Sequence, residues 1–154
     1  VADADVTIHR VTAAKAHLLD RVAPGVFDFD VRPELLREFL ANPMNHLFVA
    51  VAGGNVVGMA TGISYVHPDK PLQMFVNEVG VAEPYRRRGI GRRLVEALLA
   101  HAEALDCTEA WVATEADNAP ALALYRSTGG LEARESVVLF TYKLLQADEG
   151  ANSS

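Results

Sequence analysis

Only one cysteine, Cys107, occurs in the 154 residues. A disulfide within the chain is therefore excluded, and with it the framework of a small disulfide-stapled secreted domain. No apolar run approaches the roughly 20 residues that a membrane-spanning helix requires. The opening residues, Val1-Ala2-Asp3-Ala4-Asp5, show no secretory signal. These absences lead to the expectation of a cytoplasmic protein with no membrane partner. Positive charge is also scarce: 14 Lys and Arg against 20 Asp and Glu leave a net charge of −6. That balance argues against nucleic acid as a partner. Repeats, low-complexity segments and linkers are missing too, so the expected organisation is a single domain over 6–144 followed by a polar tail at 145–154.

What is present is a soluble-domain composition, 50% hydrophobic and 22% charged, patterned in alternating blocks. A β-branched alternation at 6–11 predicts a strand, and helices are expected at 13–22 and from Pro33 to about residue 40. Between them lies an aromatic-acidic loop, Phe27-Asp28-Phe29-Asp30. Residues 47–51 and 56–65 predict a hairpin around Gly53-Gly54-Asn55, and 74–81 a further strand. Ile90, Leu94, Leu98, Ala102 and Leu105 recur at helical spacing, with Arg92, Arg93, Glu96 and Glu103 off that stripe. A strand at 109–114, a helix at 120–127 and closing strands at 131–137 and 139–144 complete the order. Three successive central strands imply hairpins, whereas the helix between 74–81 and 109–114 implies one parallel crossover. The expected fold is α/β, with a mixed, mostly antiparallel sheet and flanking helices.

Five of the 14 basic residues fall between Arg86 and Arg93, where a strand gives way to a helix. The first turn of a helix has amides without intrahelical partners and carries the positive end of the helix dipole. Glycines let an anion approach the backbone. Arg86-Arg87-Arg88-Gly89-Ile90-Gly91 supplies these features together and reads as a pyrophosphate site. No G-K-[ST] follows, so it is not a P-loop, and the third glycine of a dinucleotide fingerprint is missing.

This segment, with Val79-Gly80-Val81-Ala82-Glu83-Pro84-Tyr85 before it, resembles the R/Q-x-x-G-x-G/A acetyl-CoA motif of the GCN5-related N-acetyltransferases. Asn118-Ala119-Pro120-Ala121-Leu122-Ala123-Leu124-Tyr125 resembles the second signature of the same family, N-x-x-A-x-x-L-Y. The resemblance covers roughly residues 6–144 and departs at Gly129-Gly130-Leu131, where L-G-F is commoner. It implies acetyl-CoA as cosubstrate, no metal, and backbone amides of Arg86, Arg87, Arg88, Gly89, Ile90 and Gly91 on the pyrophosphate. Val79 and Val81 would orient the pantetheine arm beside a strand bulge, for which Gly80 is suited. Asn118 would bond the same arm, although it is equally placed to cap a helix. Tyr125 would protonate the departing thiolate, and a core tyrosine is its other reading.

The attacking amine must be neutral, and a carboxylate is the usual base. Glu78, on the strand entering the site, is the first candidate and Glu115 the second. His46 and His67, expected in loops, are lesser ones. For the acceptor, the middle of the chain resembles the aminoglycoside 3-N-acetyltransferases of the gentamicin-modifying type, which implies a role in antibiotic resistance. Asp28, Asp30, Glu78 and Glu115 would bind ammonium groups of this cationic amine, and Phe29 and Tyr65 would stack on its rings. A peptide or protein amine is the alternative acceptor, and a non-catalytic acetyl-CoA-binding regulatory domain is the alternative class. Many relatives dimerise, and the sequence leaves a homodimer open.

Overall fold

The computed structural model describes residues 5–145. The tail expected at 145–154 lies outside them except for Leu145. Strands β1 (Thr7–Arg10), β2 (Asn45–Ala52), β3 (Asn55–His67), β4 (Lys70–Val81) and β5 (Glu109–Trp111) form one sheet in the order β1-β2-β3-β4-β5. The first four pair antiparallel, and β4 pairs with β5 in parallel. The helices are α1 (Pro33–Ala41), α2 (Ile90–Ala104) and α3 (Ala119–Ser127), with a 3-10 helix at Ala13–Asp20. The mixed, mostly antiparallel sheet and its single crossover through α2 agree with the sequence pattern.

Alternation along the strands sends side chains to two faces, and both are covered. The apolar stripe of α2 (Ile90, Leu94, Leu98, Ala102) packs on Phe48, Ala50, Val57, Ala60, Met74 and Val76. The opposite face, with Leu47, Val49, Val56 and Met59, is covered by Leu19, Val26, and Leu36 and Phe39 of α1. Burial on both faces is why β2 reads as an almost unbroken apolar run. His46 is not in a loop. It lies in β2, 3% exposed, bonded to Ser64 Oγ at 2.8 Å and to His101 Nε2 at 3.1 Å. Burial, then the neighbouring His101 and Arg10, push its pKa down to about 4, which favours the neutral ring at pH 7.

One irregularity in β4 sets the geometry of everything near it. The β3–β4 ladder pairs Thr61 with Glu78 but Gly62 with Val76, so Asn77 is an extra residue. The bulge reverses the facing of the strand. Met74 and Val76 point into the α2 core, and so do Val79 and Val81. Glu78, which regular alternation would send the same way as Val76, is turned to the other face. The bulge therefore sits at Asn77 and not at Gly80, where the sequence reading placed it. Gly80 is required for a different reason. A Cβ there would run into the Val26 carbonyl oxygen, because the loop after Val26 lies directly on the strand.

The closing strands expected at 131–137 and 139–144 are not formed. Residues 131–145 carry no strand assignment and are exposed throughout. The ladder ends early at this side: β5 is three residues long, not six, and its last pair is Phe75 with Trp111. A strand needs a partner edge as well as strand-forming residues, and within this chain the segment meets none.

The Gly80 contact is testable. Gly80→Ala should destabilise the fold by roughly 1–3 kcal/mol, as overpacking against fixed backbone does, seen as a lower urea midpoint with an unchanged slope. An unaltered midpoint would show that the Val26 loop yields freely.

Candidate active site

β4 continues to Val81 after β5 has ended at Trp111, so the two strands part and the outer edge of β4 has no strand partner among the described residues from Val76 onward. Ala82 N–H bonds Val57 O on the β3 side at 2.9 Å. Backbone groups alternate in an antiparallel ladder, so Gly80 also faces β3, while Val79 and Val81 present theirs to the gap. The Val81 carbonyl accepts from Arg86 Nε at 2.9 Å. The chain then makes a short turn at Glu83–Tyr85 and enters α2 through Gly89.

Gly89 has φ +76 and nothing within 4 Å of an added Cβ. Arg87, at φ +62, also lies in the left-handed region, which residues other than glycine seldom adopt. Arg93 is the first residue of the helix whose amide is bonded within it, to Gly89 O at 3.1 Å. The amides of Ile90, Gly91 and Arg92 are those that helix geometry leaves facing outward. The arginines are mostly occupied elsewhere. Arg86 braces Val81, Arg92 pairs with Glu96 at 2.7 Å, Arg93 bonds Val6 O at 2.8 Å, and Arg88 lies over the Tyr85 ring at 5.3 Å. An open strand edge leading to a cationic, glycine-lined helix start fits a long ligand with an amide-bearing arm and a pyrophosphate end. It fits acetyl-CoA.

α3 flanks the same place. An added Cβ on Gly91 would lie 3.6 Å from Leu124, the residue before Tyr125. Tyr125 is half-buried, and burial raises its pKa above the ordinary 10, so the phenol keeps its proton at neutral pH. Asn118 caps α3, its Oδ1 accepting from Ala121 N–H at 3.1 Å. That is the capping role the sequence left open.

On the opposite face of β4, Glu78 lines a cavity of about 310 Å³ together with Asp28, Phe29, Asp30 and Thr61. Apolar side chains, among them Leu19, Phe27, Val31, Leu35, Leu36 and Phe39, form most of its wall. Burial raises the Glu78 pKa above the usual carboxylate range, and the adjacent Asp28 charge and hydrogen bond raise it further. Thr61 Oγ1 is buried and has no hydrogen-bond partner among the described residues. Sequence reading missed Thr61, because a threonine in a buried strand carries no distinguishing pattern. Only its pairing opposite Glu78 marks it.

Two expected contacts are not brought into this cavity. Tyr65 OH donates to Gln73 Oε1 and accepts from Trp111 Nε1, both at 2.7 Å, tying β3, β4 and β5 together. Glu115 is exposed in the turn before α3, where its own backbone amide and the Asn118 and Thr114 side chains hold its pKa low. A well-stabilised carboxylate is a weak base. His67 is paired with Asp69 at the end of β3.

Residues 15–129 match the Acetyltransferase (GNAT) family, and the chain belongs to that family. It is an acetyltransferase whose acyl donor is acetyl-CoA. A relative, the N-alpha-acetyltransferase RimI of Mycobacterium tuberculosis, is 38% identical over 126 residues, 80% of this chain and 77% of that one. The fold is shared with an aminoglycoside acetyltransferase from an uncultured soil metagenomic sample, at TM-score 0.79 and 24% identity over 94% of this chain and all of that one. It is also shared with the aminoglycoside N-acetyltransferase AAC(6')-Iy in complex with CoA, at TM-score 0.71 and 22% identity over 92% and 96% of the two chains.

The donor site predicts an order of sensitivities. Gly89→Val forces a left-handed residue strained by about 1–2 kcal/mol and should weaken CoA binding roughly tenfold. Arg88→Ala should weaken it less. Titration calorimetry with CoA checks this, and the reverse order would assign binding to the side chains in place of the backbone.

Proposed function

We propose that the chain transfers acetyl from acetyl-CoA to a primary amine held in the Glu78 cavity, with the N-terminal α-amine of a peptide or protein as acceptor. The carrying observation is the cavity's composition: a carboxylate pair, Asp28 and Glu78, set among predominantly apolar walls. The carboxylates suit one ammonium group, and the walls of Leu35, Leu36 and Phe39 suit the apolar side chain beside it. An α-amine titrates near 8, so a modest base suffices. The RimI relative, an N-alpha-acetyltransferase, supports the same class.

Bound acetyl-CoA supplies an activated acyl carbon and a thiol leaving group. Glu78 removes the proton that the amine must shed in order to bond to that carbon. Tyr125 gives its proton to the sulfur as the carbon–sulfur bond breaks. The backbone of Val79 and Val81 orients the arm, the amides from Arg86 to Gly91 hold the phosphates, and Asn118 adds a contact from its amide while capping α3. Thr61 Oγ1, buried and unpartnered, accepts from an N–H of the amine. Cys107 stays reduced in a cytoplasmic setting.

A second reading has its own support. Asp28, Asp30 and Glu78 together give the cavity three carboxylates, which suits an aminoglycoside, with Phe29, 88% exposed at the rim, stacking on a ring. The 3-N position is the regiochemistry that the sequence resemblance implies, and antibiotic resistance would be the outcome. Tyr65 and Glu115 would then contact the parts of the ligand outside the cavity.

Thiol release from acetyl-CoA with a panel of amines separates the readings. Turnover with peptides bearing an apolar first residue, and none with gentamicin, is the expected result. The opposite pattern would replace the first reading by the second. Tyr125→Phe should lower kcat at least tenfold, within the range that acid catalysis contributes, with CoA affinity retained. An unchanged kcat would remove Tyr125 from the reaction.

A further inference from the structure

A second cluster of titratable groups lies on the α2 face of the sheet, outside the Glu78 cavity. His46 of β2 stands between Ser64 of β3 and His101 in the last turn of α2. Its Nε2 lies 2.8 Å from Ser64 Oγ, and its Nδ1 lies 3.1 Å from His101 Nε2. Ser64 Oγ donates onward to the Met44 carbonyl at 3.5 Å. Phe48 meets the His101 ring edge-on, with centroids 5.6 Å apart. Catalytic sites also line up a hydroxyl, an imidazole and an orienting group. Here Ser64 and His46 are 2% and 3% exposed, so no substrate reaches them, and the chain of contacts serves the fold.

The bond between the two rings depends on how many protons they hold. An imidazole pair of this kind shares one hydrogen between His46 Nδ1 and His101 Nε2, whichever ring carries it. One extra proton still leaves a donor facing an acceptor. A second puts an N–H on both sides of the 3.1 Å gap, and the bond is lost.

The surroundings do not offset positive charge. β1 contributes Arg10, in register with Phe48. β3 contributes Ser64, β4 contributes Met74 in register with Ser64, and the turn before β2 contributes Met44. The charges that act on the rings are Arg10 and, for His46, His101; no carboxylate of the described residues is among them. The C-terminal end of the α2 dipole favours a cation at His101. Burial and Arg10 outweigh it and hold that ring below the usual histidine range as well.

We propose that the Ser64–His46–His101 chain is an acid-sensitive latch, which ties the last turn of α2 to the sheet while the two rings hold at most one extra proton and opens when they take the second. An unfolded chain binds both protons near 6.5, whereas the folded His46 resists down to about 4. The stability that the latch supplies is therefore complete above 6.5 and is lost as the pH falls toward 4. The apolar stripe from Ile90 to Leu98 does not titrate, so the release is local to the His101 end. The helix whose first turn lies at the donor site is thus held at its other end by a titratable contact.

Amide hydrogen exchange and ring-proton NMR on the full chain test this. Leu105, Asp106 and Cys107 N–H donate to the carbonyls of His101, Glu103 and Ala102. Their protection factors, corrected for intrinsic exchange, should fall at least about tenfold from pH 7 to pH 5, the equivalent of one unit of differential titration. His101→Gln keeps a hydrogen-bonding amide without a titrating ring and should lose most of that fall. His17→Gln, on the exposed side of the 3-10 helix, should retain it. Equal wild-type protection at the two pH values, the same fall in His101→Gln, or its loss in His17→Gln would overturn the proposal. So would a wild-type NMR titration in which both rings take up their protons at 6.5, a measurement that needs no variant to fold.

Discussion

The extra residue at Asn77 is the constraint on which the site depends. Without it, β4 would keep strict alternation, and Glu78 would follow Met74 and Val76 into the apolar packing beneath α2. A carboxylate there would be unpaired and costly. With it, Glu78 turns to the opposite face and meets Asp28, while Val79 and Val81 return to the core and offer their backbone to the gap beside β5. One strand thus has two features: an open edge beside β5, and on its far face a single carboxylate in a cavity.

The cavity at Glu78 has a second fixed point, which Gly80 supplies. The absence of a side chain lets the Val26 carbonyl rest on the strand, and this contact holds the Phe27–Asp30 loop over Glu78. The raised pKa of Glu78 follows from that arrangement: burial contributes most and the facing Asp28 adds to it. The backbone positions the carboxylates, and the carboxylates then adjust each other.

Much of this was legible in the sequence, and the rest was not for identifiable reasons. The stripe from Ile90 to Ala102 is a 3.6-residue repeat and predicts its own burial. Arg86 to Gly91 reads in the sequence as an anion site, and the structure puts its glycines and positive charge together at the start of α2. The bulge left no such trace. It exists only in the pairing of β4 with β3, and Gly80 was the more conspicuous residue nearby. Tyr65 and Glu115, expected as ligand contacts, lie outside the Glu78 cavity, Tyr65 bonded to Trp111 and Glu115 in the turn before α3, and a one-dimensional pattern does not show which wall an aromatic or acidic residue joins. The closing strands expected at 131–137 and 139–144 are not formed, because a strand-forming pattern says nothing of whether the segment is paired with an edge.

The most direct test of the account is the pH dependence of kcat/KM for the wild type and Glu78→Gln with the same amine. The wild-type rate should rise with pH through an inflection above the ordinary 4.5 of a glutamate, separate from the amine's own titration near 8. Glu78→Gln should lose that lower inflection and run at a reduced plateau, keeping only the limb due to the amine. Retention of the lower inflection in Glu78→Gln, with the plateau unchanged, would contradict the claim that the bulge delivers Glu78 to the reaction.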